Sequence, residues 1–264
     1  MRDPWIPIAL LLITLLTIWL GIVGPMPEGF AAWLQHWQTL AAAFVASCAA
    51  YIAFRNTSRT LSHAEKLERN RRDKKHAALR AVLPLALAQI NAYSEQSAKS
   101  LCKLAEGCIG EALPFASAPQ DLAKPLPTET LKTLADFIEY SDALDVGVIE
   151  SMVATIQIHD SRIRGMVADN HESPDHLILK IEIEGRVIDA ACIYAGADSA
   201  FDYARRRESF LPDSVSWEAV RSALRNMRLW DEQYPELYQA IARRELHSAG
   251  PFNSPSINSI DILN

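Results

Sequence analysis

Two apolar runs free of charged residues open the chain, residues 5–23 and 31–54, and beyond them apolar positions recur three and four apart rather than alternating. Twelve of the nineteen residues in the first run are Ile, Leu or Val. Each favours a bilayer by roughly 0.3–0.6 kcal/mol, and at about 1.5 Å per residue the run nearly matches the hydrocarbon thickness. The exit Gly24-Pro25-Met26-Pro27 offers no small-x-small cleavage site, which argues against a removable signal peptide. The second run begins with Gln35, His36 and Gln38 and is rich in alanine. Ala42, Ala46 and Ala50 fall on one helical face with Ala43 and Ser47 beside them, a pattern that lets helices approach closely in lipid. These residues are predicted to pack against the first span or against another copy of the chain. Trp5, Trp19, Trp33, Trp37 and Tyr51 lie near the expected interfaces.

Charge sets an orientation on this hairpin. Residues 55–80 hold Arg55, Arg59, Lys66, Arg69, Arg71, Arg72, Lys74, Lys75 and Arg80 against Glu65, Glu68 and Asp73, whereas the turn at 24–29 holds only Glu28. The positive-inside rule then predicts both termini on the cytoplasmic side of a bacterial inner membrane. Arg55, Arg59, Arg69, Arg71 and Arg72 are the expected contacts with anionic headgroups. No aromatic residue interleaves the basic run, and residues 81–264 carry sixteen Lys or Arg against twenty-seven Asp or Glu. A body so acidic repels nucleic acid, so no nucleic-acid partner is expected.

The pattern beyond the membrane segments predicts an all-α protein: a transmembrane hairpin over residues 1–54, basic juxtamembrane and stalk helices over 55–106, a Pro/Gly linker over 107–127, a helical cytoplasmic domain over 128–246 and a disordered tail over 247–264. No Gly or Pro occurs between Phe30 and Leu83, so one helix is expected to run on into the stalk, with Pro84 kinking or restarting it. Leu61, Ala64 and Leu67 begin a seam that Arg71 and Lys74 interrupt, which argues against a sustained coiled coil. Thr128 is a candidate cap for a helix carrying Leu131, Leu134 and Ile138. Ile149, Met152, Ile156, His159, Ile163 and Met166 trace a buried stripe. Pro174 is expected near the first position of the next helix. Over residues 177–190 both a hairpin turning at Gly185 and a helix are open; Ile178, Ile181, Gly185, Ile188, Cys192 and Ala195 at three-four spacing favour the helix. Ser216 caps a helix through Trp230, and Pro235 opens one through Leu246.

Little in the chain points to chemistry. Cys48, Cys102, Cys108 and Cys192 lack the spacing of a zinc knuckle, and a reducing compartment argues against disulfides. Asp169, His171, Glu172, Asp175 and His176 are metal-ligand types, but Pro174 separates the histidines, so a solvated turn is the better account. His159 on an apolar stripe reads as a hydrogen-bonded core histidine. The triplet Arg205-Arg206-Arg207 and the pair Arg243-Arg244 fall near helix ends, where cations complement the carbonyl dipole. No nucleotide loop, serine elbow or zinc-helix motif is present, and no metal, cofactor or catalytic residue is expected.

Trp33-Leu34-Gln35-His36-Trp37-Gln38-Thr39-Leu40, the alanine-rich span after it, and Ala77-Ala78-Leu79-Arg80-Ala81-Val82-Leu83-Pro84-Leu85-Ala86-Leu87 resemble a group of small alphaproteobacterial two-span inner-membrane proteins of unknown function. The resemblance covers about a quarter of the chain. It implies a bacterial two-span protein with a helical cytosolic part and assigns no catalytic residue. Two functions are compatible with these readings. One is a non-enzymatic, membrane-anchored interaction or scaffold module that binds another protein or its own copies. The other is an oligomeric channel or membrane-damaging effector, of phage-response type, with Gln35, Gln38, Thr39 and Ser47 facing a pore.

Overall fold

A computed structural model describes residue 19 and residues 30–119, 122–141, 146–248 and 250–253. The first apolar run, apart from Trp19, lies outside the described residues. Every element within them is helical: α1 (Phe30–Glu106), α2 (Thr128–Tyr140), α3 (Gly147–Glu172), α4 (Lys180–Ser199), α5 (Phe201–Ala204), α6 (Trp217–Asn226), α7 (Pro235–His247) and a closing 3-10 turn (Pro251–Asn253). The chain divides into two compact units, Met1–Arg71 and Arg72–Asn264, the boundary falling inside α1 rather than after residue 54 or 106.

The second unit is built around α4. Its buried positions Ile183, Val187, Ile188, Ala190, Ala191, Cys192, Ile193, Ala195 and Ala197 point to several sides, so the helix is enclosed by neighbours. Two apolar clusters surround it. Leu79, Leu83, Leu87 and Ile90 of α1 share one with Ile149, Met152 and Ile156 of α3, Ile193 and Ala197 of α4, Leu134 and Phe137 of α2, and Tyr203. Leu101 and Cys102 of α1 share the other with Ile163 and Val167 of α3, Ile183, Val187 and Ile188 of α4, and the apolar faces of α6 and α7. Residue numbers rise from the first cluster to the second along α1 and α3 and fall along α4, so α1 and α3 run parallel and α4 runs against them.

Local signals explain several boundaries. Ser216 Oγ accepts the Ala219 N–H at 3.2 Å and starts α6, and Pro235 opens α7. Helix α6 stops at Asn226, short of Trp230, because Arg228 takes a left-handed φ of 65°. Residues 180–199 are helical, which resolves the helix-or-hairpin alternative, although Ile181 is exposed in the first turn. Pro84 does not break α1. It removes one ladder bond, but Leu83, Ala86 and Leu87 beside it are buried and hold the helix through the site. Thr128 is the first helical residue of α2 rather than its cap, a position taken by Pro127. Pro174 lies in a turn well ahead of α4.

Two segments read from sequence as loose are fastened. Within residues 107–127, Leu113 and Ala118 are buried, and the Leu113 and Lys180 N–H groups donate to the Ile178 and Glu111 carbonyls. Asn170, 1 % exposed on α3, accepts the Ala118 N–H at 2.9 Å and donates to the Pro114 carbonyl at 3.0 Å. In the expected tail, the Trp217 indole N–H donates to the Ser248 carbonyl, and the Phe252 ring packs so closely on Gly196 that a Cβ there would lie 2.8 Å from it. Residues 254–264 lie outside the described residues.

Candidate functional site

The residues expected to mediate helix packing lie in the first unit. Ala42, Ala43, Ala46 and Ala50 are exposed on α1, and Ser47, half-buried, donates its hydroxyl to the Ala43 carbonyl at 2.9 Å, so its polar group is satisfied within its own helix. From 41 to 54 every side chain but Ser47 is exposed, including Phe44, Val45, Tyr51, Ile52 and Phe54. Among the described residues no helix is long and apolar enough to cross a membrane. The side chains of residues 31–34, 36, 39 and 40, which belong to the second apolar run, lie outside that description.

The basic run splits in two at the unit boundary. Arg55, Arg59, Arg69 and Arg71 are exposed and make no hydrogen bond within the described chain. Arg72, by contrast, donates through Nη2 to the Ser141 carbonyl at 3.0 Å, just past the end of α2. Lys75 lies over the Tyr140 ring at 5.4 Å. Arg80 donates to the Tyr203 carbonyl through Nε (2.9 Å) and Nη2 (2.6 Å) and to the Glu208 carbonyl, while its guanidinium stacks 3.8 Å from the Tyr203 ring. The His76 Nε2 meets the Tyr203 hydroxyl at 3.1 Å. These cations hold the first turns of the second unit's α1 to α2 and α5; Arg72 therefore serves a protein carbonyl in addition to any headgroup.

A layer of polar residues lies between the two apolar clusters. On α1 it comprises Asn91, Tyr93, Ser94 and Ser97, and on α3 His159; Ser94, Ser97 and His159 are at most 1 % exposed. Ser97 Oγ and His159 Nε2 are 3.0 Å apart, and the Tyr93 and His159 rings meet edge to face at 6.1 Å. Among the described residues Asn91 Oδ1, Tyr93 OH, Ser94 Oγ and His159 Nδ1 have no hydrogen-bond partner. Such groups cost about 1–3 kcal/mol each. Burial, outweighing the opposing charge of Asp189, pushes the His159 imidazole down to about 4, so it is neutral near pH 7.

A hydroxyl on an imidazole resembles a nucleophile and its base, but the arrangement lacks what acyl transfer needs. Among the described residues no acid accepts from His159 Nδ1 to orient the ring, and both residues are sealed from solvent. Two surface clefts among the described residues, of about 420 and 440 Å³, are lined by other side chains. The first is lined by Asp160, Ile163, Arg164, Val167, His171 and Glu172, the second by Glu106, Lys180, Glu184, Tyr234 and Glu236 with Cys102 at its wall. In the second cleft the Tyr234 hydroxyl donates to Glu106 at 3.0 Å, and burial raises Cys102 to about 12, keeping its thiol protonated.

The remaining sequence candidates are dispersed. His176 pairs with Asp169 at 3.5 Å in the open, while His171 turns to the Ala118 carbonyl. Among the described residues no group of three or more His, Cys, Asp or Glu is placed to hold a metal ion. All four cysteines are free thiols. No family model, curated protein or solved structure matches the chain.

Proposed function

We propose that the protein is a non-enzymatic interaction module anchored in a bacterial inner membrane, its helical second unit held in the cytoplasm to bind a protein partner or further copies of itself. The observation that supports this most is the surface of α1 between residues 41 and 54, uncharged and almost wholly apolar, whose side chains other than Ser47 are exposed among the described residues. A helix of that kind is stable only against an apolar neighbour, and lipid is the neighbour that its flanks suit. The described stretch alone is shorter than the ~20 residues a span requires. The reading therefore draws also on the uncharged sequence at 31–40 and on the separate run at 5–23. The exposed arginines at 55, 59, 69 and 71 follow at once and suit an anionic headgroup layer. Confinement to a plane raises effective concentration, so modest contacts on the second unit suffice for binding.

Carbonate extraction of membranes from cells making the full chain, together with a reporter fused at Asn264, tests the reading. Retention in the pellet and a cytoplasmic reporter signal are expected. Release by carbonate, or an external reporter, overturns it. Dye leakage from liposomes carrying the purified protein would replace the scaffold with the pore-forming reading.

A further inference from the structure

We propose that the cleft between α1, α4 and α7 of the second unit binds a short aliphatic diamine, independent of whether the first unit enters a membrane. The cleft holds about 440 Å³, within the roughly 300–1,000 Å³ of small-molecule sites. Three carboxylates line it, Glu106 of α1, Glu184 of α4 and Glu236 of α7, against one ammonium, that of Lys180. The Tyr234 hydroxyl donates to Glu106 Oε1 at 3.0 Å, a bond that leaves the negative charge in place. Lys180 Nζ stands 3.7 Å from Glu184 Oε1, a loose pair, with 14 % of the Glu184 side chain exposed. Glu236 has no hydrogen bond or ion pair among the described residues.

Three negative charges against one positive leave a surplus of two in the cleft. Burial, together with Glu236 and Glu111, raises the Glu184 carboxyl in spite of Lys180, so a further cation would be welcome beside it. A second and independent feature is the Cys102 thiol. Its side chain is 3 % exposed yet forms part of the cleft wall, and no group among the described residues hydrogen-bonds to it. With Val187 and Leu237 it supplies apolar lining beside the acids, which suits methylene groups rather than a hydrated ion. The carboxylates are also too dispersed for a metal, since no three His, Cys, Asp or Glu among the described residues are placed to hold one. Spread negative charge flanking apolar surface fits an extended dication, with an ammonium at each end and hydrocarbon between. Primary ammonium groups titrate near about 10.4, so a diamine carries both positive charges at pH 7 and matches the surplus, whereas a monoamine leaves one carboxylate uncompensated. Acceptors remain for the three donors of each ammonium: Glu106 and Glu184 keep their second oxygens, and Glu236 keeps both. The Tyr234 ring lines the same cleft and offers an ammonium its face.

Calorimetric titration of the full chain in phosphatidylcholine nanodiscs with putrescine, butylamine and butanol, at constant ionic strength, tests the site. Saturable binding of putrescine is expected, with butylamine about tenfold or more weaker and butanol silent. Glu184→Gln is expected to weaken putrescine binding about tenfold and the exposed Glu236→Gln about threefold, with Glu129→Gln, exposed on α2, unchanged. Because Glu236 supports no contact of the fold, its variant keeps the structure; were Glu184→Gln to unfold, Glu236→Gln would carry the comparison. Magnesium chloride at the same ionic strength is expected not to compete. Equal competition by magnesium, which would reveal diffuse attraction only, equal affinity for butylamine, loss shared equally by Glu129→Gln, or no saturable binding of putrescine overturns the site.

Discussion

Helix α1 contains two stretches of similar length that solve the same problem differently. Between residues 41 and 71 nearly every side chain is exposed, Ser47 and Ser58 being half-buried. Between 72 and 106 a stripe from Leu79 to Ala105 is buried among other helices, and the cations before it reach carbonyls and rings. An isolated helix in water is marginal, so regular structure in the first stretch depends on something outside the described chain, whereas the second carries its own support. Hydrogen bonding along one continuous helix thus says nothing about where stability comes from.

The sharpest way to break this contrast is to shorten one leucine in each stretch. Leu87→Ala, at a side chain with no exposure, is expected to destabilise the second unit by about 2–5 kcal/mol, and Leu67→Ala, 56 % exposed, to stay within about 0.5 kcal/mol, both read by urea unfolding. Next comes acid. The unfolded chain binds a proton at His159 near 6.5 and the folded one only near 4. Stability is therefore complete above pH 6.5 and lost as pH falls, by about 3 kcal/mol once below 4. A His159→Gln variant should show a flatter pH profile over that window; an unchanged slope would place the titrating group elsewhere.

Smaller effects separate the two groups of arginines. Arg80→Met forfeits its carbonyl bonds and the stack on Tyr203, for an expected loss of about 1–3 kcal/mol, while Arg59→Met leaves unfolding unaltered and shows only as weaker flotation with anionic vesicles. Smallest for stability is Ala46→Leu, within about 0.5 kcal/mol, its consequence being a reduced oligomer size in detergent if that face joins helices. An unchanged size would remove the face from the interaction reading.

What the sequence revealed followed the range of the forces involved. The stripe on α3 was readable because Ile149, Met152, Ile156, His159 and Ile163 repeat at helical spacing, with Val167 rather than Met166 taking the next buried place. The caps at Ser216 and Pro235 are equally local. The polar layer was legible only at His159. Ser94 and Ser97 continue the α1 stripe with residues that normally face water, and their burial depends on a partner some sixty positions away. Separations as long or longer hid the docking of Arg72 and Arg80, since a cation meeting a lipid and one meeting the Ser141 or Tyr203 carbonyl look identical in one dimension. The glycines and prolines between 107 and 127 lie in a passage without helix among its described residues, but Asn170, which holds it down, gives no sign of that task in the sequence. The pairing of Arg244 with Asp189 likewise forms only when α4 and α7 meet.

The contact between Ser97 and His159 also governs alignment. Leucine and isoleucine faces tolerate sliding, because a methyl group is nearly as content against one neighbour as against the next. Moving α3 by one turn along α1, about 5.4 Å, would instead set the imidazole against Tyr93 or Leu101 and strand the serine hydroxyl in hydrocarbon. A single polar contact in the interior thereby penalises every mis-threaded arrangement, and the two greasy clusters on either side are free to be chosen for volume alone.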